Sequence, residues 1–391
     1  MRSIITNGRE GKMKKISIIE GKLSKKCLPE YLSVEATAPA REFHKTLPEY
    51  RKTPLANLKN LAKELGVKGI YVKDESKRFG LNAFKALGGS YAISKIAENE
   101  DDPSKAVYVT ATDGNHGRGV AWAAMKLGAR AEIFMPVGSM ECRAEAIRSI
   151  GDSKVEITDM NYDDAVRFAA DYAKKNGYHF VQDTGSEDYE EIPNYITQGY
   201  STMAFEAAKQ LESLGVEKPS HLFLQAGVGS MAGGVLGFFA HYYKKNPPIT
   251  TVCEPWQVAC IYESIKSGND GPTNVGGFPK TIMAGLNCGE PNPFTWPVLR
   301  DFASFAAKCG DDVTRIGMKT LAHPLGDDPA VVSGESGAVG LGLLYILCTD
   351  PAYAEYKNLL GIDENSEILI FSTEGDTDPE GYKEIVNGEE A

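Results

Sequence analysis

His-Leu-Phe-Leu-Gln-Ala-Gly-Val-Gly-Ser-Met-Ala-Gly-Gly-Val-Leu-Gly, residues 221–237, opens as a strand, passes through a glycine loop and continues as a helix. Glycines at 227 and 229 let successive backbone N–H groups converge where a helix begins, a place suited to an anion. Leu222 to Tyr243 contains 22 residues without a formal charge, which hydropathy alone would score as membrane-spanning. Five glycines and Gln225 inside it fit a buried strand, a tight loop and a helix start better than a lipid-facing helix.

Outward from this stretch, strand and helix patterns alternate. Strands are predicted at 69–73, 106–112, 131–135, 154–157, 179–182, 249–252 and 367–371, with helices at 117–127, 141–150, 163–175 and 256–267. Thr53-Pro54 reads as a helix start, with Leu55, Leu58, Ala62 and Leu65 at helical spacing and Gly66 as the stop. The alternation predicts an α/β protein of two interleaved doubly wound domains with mainly parallel sheets. One is expected over 1–88 and 215–391, the other over 89–214. In such sheets ligands meet the loops beyond the carboxyl ends of the strands.

A length of 391 residues suits two or three domains, and 42% hydrophobic with 24% charged residues excludes wholesale disorder. Net charge is −11, from 42 Lys+Arg against 53 Asp+Glu, which disfavours nucleic acid or an anionic membrane as partner. Seven cysteines without a C-x-x-C pair fit a reducing, cytoplasmic setting. Six scattered histidines with no close Cys/His grouping give no metal site. Residues 1–27, with eight Lys/Arg and two Asp/Glu, read as a basic tail or edge, within which Met13 is a candidate later start.

Three loops carry chemistry-bearing residues. Residues 73–89 place Lys85 after Ala83-Phe84 and before a helix, and an apolar setting at a helix N-terminus disfavours the ammonium form. Residues 110–119 put Thr112, Asp113, Asn115 and His116 between glycines, more polar groups than a turn needs. The Gln225–Gly234 loop also matches G-x-G-x-x-A through Gly227, Gly229 and Ala232, with Glu254 as a ribose-binding acid, so an NAD-binding oxidoreductase and a non-catalytic metabolite-binding module are alternative readings. An imine-forming lysine, an amide-bearing loop and a loop sized for one phosphate together favour pyridoxal 5′-phosphate (PLP).

From about Arg51 to Asp378 the chain resembles the fold type II, tryptophan synthase β-like, PLP-dependent enzymes. KDESKRFGLNAFK (73–85), TDGNHGRGVAWAA (112–124), TDMNYDDAVR (158–167), VQDT (181–184), QAGVGSMAGGVLG (225–237), AGLNCGEPNP (284–293), SGESGAVGLG (333–342) and STEGDTD (372–378) carry the resemblance. It implies a large and a small α/β domain with PLP between them, assembled as a homodimer. Lys85 would hold PLP as an imine, Asn115 would bond its ring oxygen, and Gly227, Val228, Gly229, Ser230 and Met231, through to Ala232, would bind the phosphate. Ser372 or Thr373 would face the pyridine nitrogen, and Thr112, Asp113 and His116 would meet the substrate.

Commoner dehydratases of the group carry serine where this chain has Ala83 and Asp113. A carboxylate at 113 suits a substrate with a β-ammonium group. The implied reaction is elimination of ammonia from D- and L-2,3-diaminopropionate, yielding pyruvate and two ammonia; another dehydratase-like lyase or a racemase is the alternative within the group. Asp113 would be the base for the D-isomer and Asp183 for the L-isomer, and Lys85, once freed, could also act as acid or base. Glu335 is read as a helix cap in preference to a residue lining the site, residues 161–164 as a helix start, and Cys260 and Cys288 as free buried thiols that would pair only if the intervening loop folds back.

Overall fold

The computed structural model describes residues 15–186 and 188–388. Among the described residues eleven strands form two sheets. The strands are β1 (Ile16–Glu20), β2 (Leu55–Asn57), β3 (Gly69–Asp74), β4 (Val107–Ala111), β5 (Arg130–Met135), β6 (Asp152–Ile157), β7 (His179–Phe180), β8 (His221–Gln225), β9 (Ile249–Pro255), β10 (Phe305–Cys309) and β11 (Glu367–Ser372). The larger sheet runs β1-β10-β9-β8-β11-β3-β2 and the smaller β6-β5-β4-β7. All pairings are parallel except those of the two edge strands β1 and β2.

Central β8 is buried along its whole length, as expected of a parallel strand covered by helices on both faces. The uncharged run after it splits into this strand and the helix Ser230–Tyr242. Among the described residues no helix is long and apolar enough to cross a membrane. Met1 to Lys14, including Met13, lie outside the described residues; the rest of the basic segment supplies the edge strand β1.

Three local predictions are corrected. The helix expected from Thr53-Pro54 begins only at Lys59, because Leu55–Asn57 instead pairs antiparallel with β3, and the Leu58 N–H donates to Ile70 O at 2.9 Å. The strand expected over 179–182 ends at Phe180, although the Val181 N–H still reaches Val109 O at 2.8 Å. The helix expected from Trp256 starts at Cys260, since β9 extends to Pro255.

Under the larger sheet lies a buried charge cluster. Glu206, on helix Glu191–Ser213, accepts from Lys73 Nζ at 2.8 Å and from Arg78 Nη2 at 2.8 Å and Nη1 at 3.1 Å. Arg78 also pairs with Glu75 at 2.8 Å, and all four side chains are at most 2% exposed. These contacts fix residues 73–80, the segment that leads to Lys85.

The topology brings six strand ends together. The segments after β3, β8 and β11 come from the larger sheet, and those after β4, β6 and β7 from the smaller. They converge on one cleft.

Candidate active site

Lys85 immediately precedes helix Ala86–Ala97 and lines the cleft. Its Nζ donates to Asp183 Oδ2. Burial alone would lower the lysine pKa, but the Asp183 carboxylate outweighs it and raises the pKa above the ordinary value. The expected disfavoured ammonium is therefore corrected: the sequence shows the apolar neighbours but not the carboxylate folded onto them from 98 residues away. Burial likewise pushes Asp183 up, and the Lys85 ammonium brings it below the ordinary carboxylate value.

The Asp183 backbone is pinned to the glycine loop. Its carbonyl accepts from Ser230 Oγ and from Asn292 Nδ2 at 3.1 Å, and Asn292 Nδ2 also reaches Ser230 Oγ at 2.7 Å. The loop reaches helix Ser230–Tyr242 through Gly229, whose φ of +89° excludes most side chains. A Cβ at Gly227 would lie 3.1 Å from Cys288 Sγ and 3.2 Å from Leu286 Cα, so a side chain here would crowd this wall. Gly227 to Met231 line the cleft at the start of this helix, and a helix N-terminus carries free N–H groups, the arrangement that receives phosphate.

After β4, Thr112 Oγ1 accepts from the N–H of Gly114 at 2.9 Å and of Gly117 at 3.2 Å, so its hydroxyl shapes the loop. Asp113 lines the cleft with its Oδ2 3.3 Å from Arg143 Nη1. Asn115 Nδ2 donates to Glu374 Oε2. His116 Nε2 bonds Val181 O at 2.9 Å, and burial lowers its pKa, leaving a neutral ring with a bare Nδ1.

The two candidate hydroxyls after β11 separate. Ser372 Oγ turns away to Ser333 Oγ at 2.8 Å, whereas Thr373 lines the cleft and accepts from Gln225 Nε2 at 2.6 Å. Glu335 does not cap a helix: Ala338 precedes helix Val339–Thr349, and Glu335 instead lies 3.9 Å from Arg143. Burial, with Glu374 nearby, pushes its pKa to about 7. Residues 161–164 do start a helix, with Asn161 Oδ1 accepting from the Asp164 N–H at 2.8 Å. Cys260 and Cys288 are free, buried thiols. Glu254 is committed elsewhere, accepting from the N–H groups of Ile261 at 2.8 Å and Tyr262 at 2.6 Å, which removes the ribose acid of the NAD reading. Among the described residues no group of three or more His, Cys, Asp or Glu is placed to hold a metal.

Sequence reasoning missed Tyr162, Gln225, Ser336 and Glu374 as cleft residues. Glu374 directly follows the two candidate hydroxyls, and Gln225 ends the strand before the glycine loop, so position alone could have flagged them. Tyr162 and Ser336 carry no such signal.

The cleft fits PLP. Buried polar atoms without a partner converge there: His116 Nδ1, Asp183 Oδ1, Gln225 Oε1 and Ser336 Oγ. Each such atom costs about 1–3 kcal/mol unless a ligand bonds it. A lysine amine, a glycine-lined helix start and a neutral hydroxyl supply the remaining complementarity.

Residues 46–358 match the family of pyridoxal-phosphate dependent enzymes. The diaminopropionate ammonia-lyase of Escherichia coli K12 is 47% identical over 362 residues, covering 89% of this chain and 90% of the relative. That of Salmonella typhimurium is 48% identical over 370 residues, covering 89% and 91%. The crystal structure of the Escherichia coli enzyme in complex with an aminoacrylate-PLP azomethine reaction intermediate superimposes with a TM-score of 0.89 at 45% identity, covering 96% of this chain and 97% of that one. The chain thus belongs to the fold type II PLP-dependent enzymes and, within them, to the diaminopropionate ammonia-lyase family.

Proposed function

We propose that this protein eliminates ammonia from both D- and L-2,3-diaminopropionate, the product being hydrolysed to pyruvate and a second ammonia. The observation that carries the reading is a pair of carboxylates, Asp113 and Asp183, lining one cleft with Lys85, each held by its own cation.

Lys85 would hold PLP covalently, Asn115 would bond its ring oxygen, residues 227–231 would bind its phosphate and Thr373 would face its pyridine nitrogen. PLP, when bound, supplies an electron sink that acidifies the substrate α-proton. A neutral threonine at the ring nitrogen does not hold a proton there as a carboxylate would, which favours elimination over transamination. Asp183 takes the α-proton of the L-isomer, and Asp113 that of the D-isomer from the other face. Two bases on opposite sides of one planar centre are what acceptance of both enantiomers requires. Thr112 and His116 stand beside the substrate, the first by shaping the loop around Asp113 and the second as a neutral neighbour of Asp183.

The same proposal takes the assembly as a cytoplasmic homodimer, a reading supported by the family resemblance and the free cysteines. It divides the chain into 1–88 with 215–391 and 89–214, supported by sheet membership, since every strand of the smaller sheet falls within 107–180.

The test is pyruvate release from each enantiomer by the purified holoenzyme, with Lys85→Ala alongside. Release from both isomers, lost in the variant together with the borohydride-sensitive visible band, is the expected result. Absence of release from either isomer refutes the substrate assignment.

A further inference from the structure

Arg143 is unused by the reaction outlined above, yet its guanidinium is nearly closed off from solvent and joins two parts of the cleft. It projects from helix Glu141–Arg148, and its side chain is 6% exposed. Its stem lies against the backbone of the polar loop: a Cβ at Gly114 would come within 3.3 Å of Arg143 Cδ. Gly114 adopts a φ of +151°, so the loop turns sharply under the arginine between Asp113 and Asn115.

At its tip Arg143 reaches Asp113 Oδ2 at 3.3 Å on one side and Glu335 Oε2 at 3.9 Å on the other. Glu335 belongs to the loop 333–337, whose Ser336 N–H donates to Glu374 Oε1 at 2.9 Å, and Glu374 accepts from Asn115. The guanidinium therefore braces Asp113 against a loop from the other side of the cleft. Asp183 is held differently, by Lys85. The two carboxylates have separate cations.

We propose that Arg143 is a positioning residue for the D-isomer: by holding Asp113 Oδ2 against Glu335 it fixes the orientation of the carboxylate that faces the D-substrate. The inference rests on the assignment of Asp113 as the D-side base. A carboxylate base acts only when one oxygen is within hydrogen-bond reach of the α-proton, and a misplacement of about 1 Å costs on the order of 100-fold in rate. Arg143 engages Oδ2 and leaves the second oxygen for that proton. Because Arg143 makes no contact with Asp183, its loss falls on one enantiomer.

The experiment compares kcat for D- and L-diaminopropionate in wild type, Arg143→Gln and Asp113→Asn holoenzymes, each checked for an unaltered visible cofactor band. Arg143→Gln is expected to lower kcat for the D-isomer at least ~10-fold and for the L-isomer less than ~3-fold. Equal loss on both isomers, or loss on neither, overturns the proposal. Asp113→Asn separates the two levels: if it depresses both isomers alike, the base assignment fails and the positioning role fails with it. Selective loss of D-turnover in Asp113→Asn without such loss in Arg143→Gln overturns the role of Arg143 alone. Should Arg143→Gln not accumulate as holoenzyme, Arg143→Lys answers the same question, because an ammonium cannot span both carboxylates. A D/L ratio lowered at least ~3-fold then supports the role, and an unchanged ratio overturns it.

Discussion

Replacing Glu206 with leucine removes the hub of the buried charge cluster. Its carboxylate receives Lys73 at 2.8 Å, Arg78 at 2.8 and 3.1 Å, and the Tyr50 hydroxyl at 2.9 Å. After the substitution Arg78 keeps Glu75, but Lys73 retains only Thr53 O and Gln210 Oε1, both at 2.8 Å and both uncharged. An ammonium left buried without its counter-charge costs about 3–5 kcal/mol. Unfolding entropy of roughly 2.1 cal/mol/K per residue amounts to about 0.8 kcal/mol/K for this chain. The melting temperature should therefore fall by about 4–6 °C. Calorimetry of the holoenzyme measures it, with Lys73→Met/Glu206→Met expected to recover most of the loss because neither charge is then stranded. A fall of less than ~1 °C in Glu206→Leu, or a double variant as unstable as the sum of the singles, would refute the reasoning. The pH dependence has a definite sign. Burial raises the Glu206 pKa, but Arg78 and Lys73 outweigh it and hold it below the ordinary value of 4.5. The cluster's contribution is thus present above that value and is lost as the pH falls below it, so acid should destabilise wild type more than Glu206→Leu.

Asp183→Asn should lower kcat for the L-isomer by about 10²–10⁴-fold and spare the D-isomer comparatively, measured by pyruvate release. Gly229→Ala, at a φ of +89° and with its new Cβ 2.9 Å from Leu299 Cδ1, should weaken PLP binding at least ~10-fold in a fluorescence titration; unchanged affinity would remove the loop from the phosphate site. Thr373→Val should shift the visible cofactor band while Ser372→Ala leaves it in place, since only Thr373 lines the cleft. The reverse pattern would assign the ring nitrogen to Ser372.

Much of this molecule is legible without coordinates. The run Leu222–Leu224, followed by Gly227 and Gly229, determines a buried parallel strand and a glycine loop, because local burial and backbone freedom are written in adjacent residues. Lys85, Asp113 and Asn115 stand out by the same local means, as chemistry-bearing residues beyond strand ends, whereas Asp183 is picked out only by the family resemblance; all four line the cleft.

Tertiary structure decided who meets whom. Leu55–Asn57 has helical spacing yet becomes a strand, because an open edge of β3 offers hydrogen bonds that periodicity cannot register. Ser372 and Thr373 are adjacent and chemically alike. Alternation along the strand end sends one to Ser333 and the other to the cleft, a choice set by register. Glu254 has the spacing of a ribose acid but spends its carboxylate on the helix that folds beside it. The pairing of Lys85 with Asp183, and of Arg143 with Glu335, joins segments from different sheets. A sequence fixes which side chains can ionise and which stretches are buried. The charge state and orientation of a buried group depend on the partner that the crossovers bring to it, and that partner lies far away along the chain.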